Sequence, residues 1–564
     1  MSSTDRKALS RRDLVKAAGI GAVALGSAGT AAAAPVPRKW DLEADVLVLG
    51  FGGAGACAAI GAHDAGAKVM ILEKQAEARH ITSTRMSSGI WHSPDKDGDP
   101  QARQAYVQAM FSGDNVPGKL EGELAGAKEL AEVYSREVVG VIDFLKSLDP
   151  DFNPMRAGTV VYTKFPGAEA SKYRSYFSTY TGKIDFTQPT MDKPKSEKMF
   201  GEALFACMKN GVTTRKIAVQ YETPAKRLVA NDKGEVLGVI AVQKGKEIAV
   251  KAKRGVIITT GGYAWGKKMR HAFLTGADAK GWAFWGTPAA TGDGIEMGLR
   301  VGAAVEKMAK CAGSLTLAAP IAGSEFKMGV GTPAVANAGA FMVDNVGNRY
   351  ADEAQLTDDP NRYHFYPTAA VTDAATALEI RTPSWVVFDE KYRAARPMAF
   401  VGLAAAGYGF VKWSKDNSEA VANGMFLKAD SIEELAAKIK AHPDNRGLMD
   451  AAVLAKTAAR FNELSAKGAD DDFKRRAASL GALEQKPFYA APLYLGGPNT
   501  KGGLRFNVSR EVLDWDDKPI PRLYAAGEVA SCYKHVYQSG GNLAEGIIFG
   551  RIAGQNAAKQ KAWG

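Results

Sequence analysis

The stretch 45–74 restricts what this chain can fold into more than any other. An apolar run, Val46 to Leu49, suits a buried parallel strand. Gly50, Gly52 and Gly55 follow in G-x-G-x-x-G spacing, with Gly53 and Ala54 between them, and open an Ala-rich helix. A second apolar run, Val69 to Leu72, ends in Glu73 and Lys74. Each part has a physical job in holding a dinucleotide. Gly50 allows the tight turn, Gly52 lets the backbone approach a pyrophosphate, and Gly55 lets the helix pack on the strand. The helix N-terminus faces the phosphates, and Glu73 sits where a carboxylate accepts hydrogen bonds from a ribose. A G-x-G-x-x-G alone is often only a Gly-rich loop. Strand, helix, second strand and terminal acid in order predict a bound dinucleotide.

At 564 residues the chain is too long for one simple core, so two or more domains are expected. Its 60 glycines suit a fold with many tight βα turns. The net charge of +11 comes without a basic run or an aromatic-interleaved basic stripe. That pattern predicts a solvated surface and no nucleic-acid binding, while still suiting an acidic redox partner. Cys57, Cys207, Cys311 and Cys532 are widely separated and form no C-x-x-C, C-x-x-C-H or ferredoxin-like run. No attached haem or iron–sulfur cluster is therefore expected, and electrons must come from or go to another carrier. The seven histidines offer no metal-ligand spacing.

Residues 1–34 read as a leader. Arg11-Arg12 lies in a charged segment, a weakly apolar run covers 17–33, and small residues end near Ala34-Pro35. The arginine pair makes this a twin-arginine export signal, which predicts a periplasmic or otherwise extracytoplasmic protein. The competing reading is a stray Arg pair before an Ala-rich tail. No other segment reaches the roughly 18 apolar residues of a membrane span, so no integral membrane segment is expected in the mature chain.

Downstream, Thr82 to Gly89 is a hydroxyl-rich loop suited to donating to phosphates. Residues 100–150 show helical periodicity, whereas 151–195 are irregular and aromatic, which predicts a long functional loop or excursion with some of its rings in the core. Alternating segments at 216–221, 225–229, 236–242 and 247–252 predict a β-meander. A further buried strand, starting at Arg254, reaches Thr260-Gly261-Gly262. Thr291-Gly292-Asp293-Gly294 opens an amphipathic helix with Asp293 near its cap. The region from about 300 to 490 carries its own apolar segments, such as 385–388 and 453–461. Finally Ala525-Ala526-Gly527-Glu528 precedes Gly540-Gly541-Asn542-Leu543-Ala544, where another helix begins.

These motifs, in this order over most of the chain, resemble the FAD-binding flavoproteins of the fumarate reductase/succinate dehydrogenase family. That family includes urocanate reductases, other ene-reductases and ketosteroid dehydrogenases. The resemblance implies an α/β fold: a discontinuous Rossmann-like FAD-binding domain plus an α+β capping domain. The implied layout is 41–300 for the first part of the FAD domain, with a helical and aromatic excursion over 100–200. Residues 301–490 would form the capping, substrate domain, and 491–564 the returning part of the FAD domain. Implied FAD contacts are Gly50, Gly52, Gly53, Ala54 and Gly55 for the pyrophosphate, with Glu73 and Lys74 near the ribose. Ser83, Thr84, Ser88 and Gly89 would line the phosphates and flavin, and the Ala225 backbone would meet adenine. Thr260, Gly261, Asp293, Gly527 and Glu528 complete the set. Asn542, Leu543 and Ala544 would start a helix beneath the flavin pyrimidine, where its N-terminus stabilises negative charge.

The substrate motifs depart from the dicarboxylate enzymes. In place of His-Pro-Thr stands Gly313-Ser314-Leu315, and in place of His-His-Thr-x-Gly-Gly stands Pro498-Asn499-Thr500-Lys501-Gly502-Gly503. In place of an Arg before Gly-Gly-Asn stands Gln538, beside Tyr537. A dianion needs those charges for orientation and neutralisation, so fumarate and succinate are not expected substrates. The family's proton-delivering Arg is absent near Thr357, and the nearest candidate is Arg362. Tyr363, Tyr366 and Tyr537 are the alternative acids, Tyr537 foremost, although each also suits a structural ring in a cap interface. The expected activity is hydride transfer between flavin N5 and a C=C bond conjugated to a carbonyl, on a larger, less charged substrate. A ketosteroid-type dehydrogenase running oxidatively, and a flavin-carrying electron-transfer subunit of a respiratory complex, are the alternatives. The expected partners are a small unsaturated carbonyl compound and an external cytochrome, iron–sulfur protein or quinone-linked carrier.

Overall fold

Strand β1 (Leu42–Leu49) carries the first apolar run, and its last four side chains are fully buried. A strand apolar on both faces belongs inside a parallel sheet covered on both sides. The computed structural model places β1 centrally in an eight-stranded sheet. It describes residues 33–112, 121–157, 162, 165–274, 281–309, 311–331, 338–354, 368–375, 377–533 and 537–564. On one side of β1 lie β2 (Val69–Leu72) and then β3 (Ala218–Gln220), all parallel. An antiparallel meander of β4 (Ala225–Ala230) and β5 (Val236–Gln243) leads into β6 (Lys246–Ile258). The second half of β6 pairs in parallel with the other side of β1. From the far end of the chain, β7 (Glu511–Leu513) and β8 (Pro519–Ala525) close the order, with β8 parallel to β6.

The sheet corrects two sequence expectations. The segment expected to begin the meander is β3, which joins β2 in parallel instead of pairing with β4. The segments expected as separate strands at 247–252 and from Arg254 are one strand of 13 residues, β6. The basic residues at its middle do not break it. Lys253 Nζ pairs with Glu43 Oε1 at 2.9 Å, and Arg254 donates to the carbonyl of Ala558.

Two helices close one face of this sheet. The fingerprint helix (Gly53–Asp64) and the last helix (Gly541–Lys559) pack backbone to backbone along a seam of glycines. A Cβ on Gly554 would lie 2.1 Å from the carbonyl oxygen of Ala58, one on Gly550 2.6 Å from that of Ala54, and one on Gly61 2.5 Å from that of Arg551. Any side chain at these positions forces the helices apart.

A seven-stranded sheet forms the second layer system. Its central strand, Phe488–Gly497, is flanked antiparallel by Ser314–Pro320 and Ser384–Asp389. Residue 491, expected as the start of the returning domain, falls inside this strand. Helices Ile432–Ala441 and Ala451–Lys467 cover one face, packing Leu435 and Phe461 on Phe341 and Trp385. Beside them Arg349 forms a buried ionic cluster: its Nε lies 2.8 Å from Glu353 Oε1 and its Nη2 2.9 Å from Asp470 Oδ2, while Arg475 Nη1 reaches Glu353 Oε2 at 3.2 Å. The architecture is α/β, a discontinuous Rossmann-like domain built from both ends of the chain plus an α+β capping unit.

The described residues of the aromatic stretch 151–195 hold strands and core rings as well as loop. Met155–Arg156 and Ser175–Phe177 join Ile90–His92 in a small antiparallel sheet. Phe152, Phe165, Tyr173 and Tyr180 are buried core. Among the described residues no helix is long and apolar enough to cross a membrane.

Candidate functional site

The C-terminal ends of the parallel strands meet at a first cavity, where open α/β sheets bind ligands. The three fingerprint glycines divide the work there. Gly50 has φ +98°, and a Cβ on it would lie 2.9 Å from Thr259 O. On Gly55 a Cβ would lie 2.0 Å from Gly50 O, so the helix start packs against the turn. At Gly52, extended at φ −84° and ψ −171°, the same construction meets nothing within 4 Å. Gly52 alone faces open space, as a cradle for a pyrophosphate requires. Thr260 Oγ1, on the cavity wall, is buried without a protein hydrogen-bond partner. An open backbone cradle and an orphaned hydroxyl both fit a dinucleotide.

Polar side chains frame this cavity. Glu73 accepts from Phe51 N at 2.9 Å and from Gln75 N at 2.8 Å. Burial pushes its carboxyl up, but His80 and these two N–H donors hold it below the ordinary value. Lys74 Nζ pairs with Asp293 Oδ2 at 2.6 Å and Thr291 Oγ1 at 2.7 Å. The hydroxyl-rich segment is not a loop but a helical turn, Ser83–Met86, capped by Thr82, whose side chain accepts from Arg85 N. Arg85 anchors it to Glu202 at 2.8 Å. Thr84 Oγ1 then accepts from Gly53 N at 3.0 Å, tying this turn to the fingerprint helix.

A second cavity of about 400 Å³ shares Gly53, Ala54, Ser83, Thr84 and Glu528 with the first. Its outer wall is aromatic and apolar: Phe177, Phe186, Trp285, Phe400 and Leu403. Phe186 stands 5.8 Å from Phe177 and 5.7 Å from Phe400, ring centre to ring centre. Its floor is polar, with Asn499, Asn542, Tyr537, Glu528 and Glu545. Glu528 accepts from Thr500 N and Thr500 Oγ1 at 3.1 and 2.9 Å. Burial pushes its carboxyl up to about 7, against the pull of Thr500 and Lys501. Glu545 is likewise raised by burial and accepts from Cys532 N at 2.5 Å.

The backbone that follows Tyr537 is held at two successive residues. Gln538 turns away from the cavity and donates to Tyr106 Oη at 2.7 Å. Ser539 O accepts from His92 Nε2 at 2.8 Å. Burial pushes His92 down to about 4, so the ring is neutral near pH 7, and with Nε2 donating, Nδ1 accepts from Tyr173 Oη at 2.9 Å.

Most sequence-predicted residues converge on this double cavity. Gly50, Gly52, Glu73, Lys74, Ala225, Thr260, Gly261 and Asp293 line the first; Ser88, Gly527, Asn542, Leu543 and Tyr537 line the second. Three expected contacts lie behind the walls instead. Gly55 packs on Gly50, and Ala544 is buried in the last helix. Gly89 (φ +64°) is pressed against Phe200, where a Cβ would lie 2.3 Å from the carbonyl carbon. Arg362, Tyr363 and Tyr366 lie outside the described residues. Sequence reasoning did not assign roles to Lys501, Asn499 and Glu545. For Lys501 and Asn499 the one signal was the polar replacement of the His-His-Thr element, and for Glu545 its place just after Gly540-Gly541-Asn542.

Comparison with known proteins agrees with this geometry. The family model of the FAD binding domain matches residues 45–543. The chain is 26% identical over 524 residues to a probable fumarate reductase of Shewanella frigidimarina, covering 91% of this chain and 74% of that one. It is 26% identical over 597 residues to the 3-oxosteroid 1-dehydrogenase of Mycolicibacterium smegmatis, covering 92% and 98%. The solved 3-ketosteroid delta1-dehydrogenase of Sterolibacterium denitrificans shares the fold, with a TM-score of 0.72 at 21% identity over 92% of this chain and 99% of that one.

Proposed function

The chain belongs to the FAD binding domain family and is an FAD-dependent oxidoreductase acting on CH–CH groups; from that premise we propose that it acts on a C–C bond next to the carbonyl of an apolar, cyclic substrate. Gly52, Thr84, Glu73 and Asp293 would hold the adenosine and pyrophosphate parts of FAD, and Asn542 and Leu543 the pyrimidine edge. Bound FAD supplies hydride donation or acceptance at the substrate β-carbon. Tyr537 is the proton-handling group: its hydroxyl hydrogen-bonds the substrate or exchanges a proton with it, and the clamp through Gln538 and Ser539 fixes its place.

The observation that carries the substrate class is the aromatic wall of the second cavity. Flat rings of Phe177, Phe186, Trp285 and Phe400 match a cyclic apolar skeleton, whereas a dicarboxylate would find no arginine, lysine or histidine among the described lining residues to clamp it. The full-length similarity to a 3-oxosteroid 1-dehydrogenase supports the oxidative direction as a second reading. The deciding assay offers reduced viologen with cyclic enones or fumarate, and an oxidised dye with saturated cyclic ketones. Turnover of fumarate with neither cyclic class overturns the substrate reading, and a purified protein without a flavin spectrum overturns all of it.

Export by the twin-arginine route is part of the same proposal, supported by Arg11-Arg12 and the small-residue stretch before Pro35. The paired change Arg11→Lys and Arg12→Lys should leave the protein in the cytoplasm; unchanged export would remove this part. The electron carrier is proposed to be a separate cytochrome, iron–sulfur protein or quinone-linked protein, and the net charge of +11 favours an acidic one.

A further inference from the structure

We propose that Lys501 is a positioning residue for the flavin: its buried ammonium fixes the amide of Asn542 and places a positive charge behind the floor of the second cavity. The inference rests on the placement of the flavin against Asn542 given above.

Lys501 is 3% exposed, in a segment whose ordinary surface fate is prevented by its neighbours. Gly502 (φ +81°) and Gly503 (φ +118°) turn the chain so tightly that a Cβ would lie 2.3 Å from Glu306 O and 2.0 Å from Val529 O. The lysine is thereby sent inward. A buried ammonium is unfavourable unless it is paired and hydrogen-bonded. Here Nζ donates to Ser531 Oγ at 3.3 Å and to Asn542 Oδ1. It also lies 4.8 Å from the ring centre of Tyr533 and 4.7 Å from that of Tyr537, within cation–π range. The charged groups facing it are Glu545 and Glu528; Ser531 bridges to the first, donating to Glu545 Oε2 at 3.2 Å. Burial pulls the ammonium down to about 8, against those carboxyls, which leaves it mainly protonated at neutral pH.

An ammonium can only donate, so Asn542 must turn its oxygen toward it. The Asn542 amide nitrogen then points at Asn499 Oδ1, at 2.7 Å. One buried cation therefore sets the orientation of both asparagines on the cavity floor. Its charge adds to the partial positive charge at the start of the last helix, and both favour negative charge on a ligand seated there. A role confined to anchoring the helix would affect stability and leave the electronic character of a bound flavin alone.

Sulfite titration of the purified, FAD-loaded protein reads that character without turnover, because sulfite adds to flavin N5 more tightly where positive charge lies close by. Lys501→Met should weaken sulfite binding by on the order of tenfold. Glu545→Gln, which removes the facing carboxyl, should strengthen it. Asn542→Ala is the placement control and should shift sulfite affinity too. Unchanged affinity in Lys501→Met with a shift in Asn542→Ala overturns the role of Lys501 and leaves the flavin placement standing. No shift in either overturns the placement as well. Should Lys501→Met fail to fold, Glu545→Gln decides: tighter sulfite binding supports the buried charge, and equal or weaker binding overturns it.

Discussion

Adding one methyl group at Gly52 and one at Gly55 should have opposite consequences, although the two positions lie three residues apart. At Gly52 the backbone angles, φ −84° and ψ −171°, suit alanine, and the new Cβ meets nothing within 4 Å. Gly52→Ala should thus leave the apoprotein as stable as before, or more stable by about 0.4–1 kcal/mol through a stiffer unfolded chain. The added methyl would, however, stand where the pyrophosphate must approach. FAD affinity should fall by tenfold or more, about 1.4 kcal/mol. At Gly55 the Cβ would sit 2.0 Å from Gly50 O and 2.8 Å from Thr259 Oγ1, where real Cβ contacts essentially never come under 3.0 Å. Backbone must move, at a cost of about 1–3 kcal/mol. Urea melts of the FAD-stripped proteins measure the stabilities, and quenching of FAD fluorescence on titration measures the affinities. A Gly52→Ala protein that binds FAD like the parent refutes the cradle, and a Gly55→Ala apoprotein of undiminished stability refutes the packing argument.

Tyr537→Phe should lower turnover by about 10²- to 10⁴-fold while FAD stoichiometry is unchanged; a loss under about tenfold removes Tyr537 from proton handling. Glu528 bears on pH dependence: its carboxyl is raised from the ordinary 4.5 to about 7. Between those values the folded protein holds a proton that the unfolded chain has released, so this group's contribution to stability falls as pH rises through the window. Glu528→Gln should flatten that slope, as read from urea midpoints of parent and variant across the window; an identical slope refutes the assignment. Glu353→Ala strips the buried guanidinium groups of Arg349 and Arg475 of their shared carboxylate, and should destabilise the capping unit by about 3–5 kcal/mol in urea unfolding.

The cofactor was far more legible in the sequence than the chamber beside it. Gly50, Gly52 and Gly55 announce a pyrophosphate cradle because each answers a constraint from within a few residues or from the adjoining strand. The floor of the second cavity follows a different logic. Lys501, Asn542 and Glu545 become one cluster only when the central strand of the second sheet delivers 499–501 to the start of the last helix. A lysine followed by two glycines reads in sequence as an exposed turn, and nothing local marks it as buried. The same distinction explains β3, whose alternating residues suited a hairpin while its partner was fixed by β2, far away in sequence. It also explains Ser83–Met86, too short for periodicity to reveal and held in helical form by a Thr82 cap and an Arg85–Glu202 pair.

The glycine seam between the fingerprint helix and the last helix has a consequence for the timing of synthesis. The fingerprint leaves the ribosome well before the surface it must pack against and the Asn542 floor, which lie far downstream in the chain. Until the helix Gly541–Lys559 has left the exit tunnel, the fingerprint helix lacks the partner it packs against, and the second cavity lacks its Asn542 floor. A flavin site with both helices in place therefore exists only after that helix has been made. Under the proposed export route, which carries folded proteins, this downstream helix would have to be seated before the protein could leave.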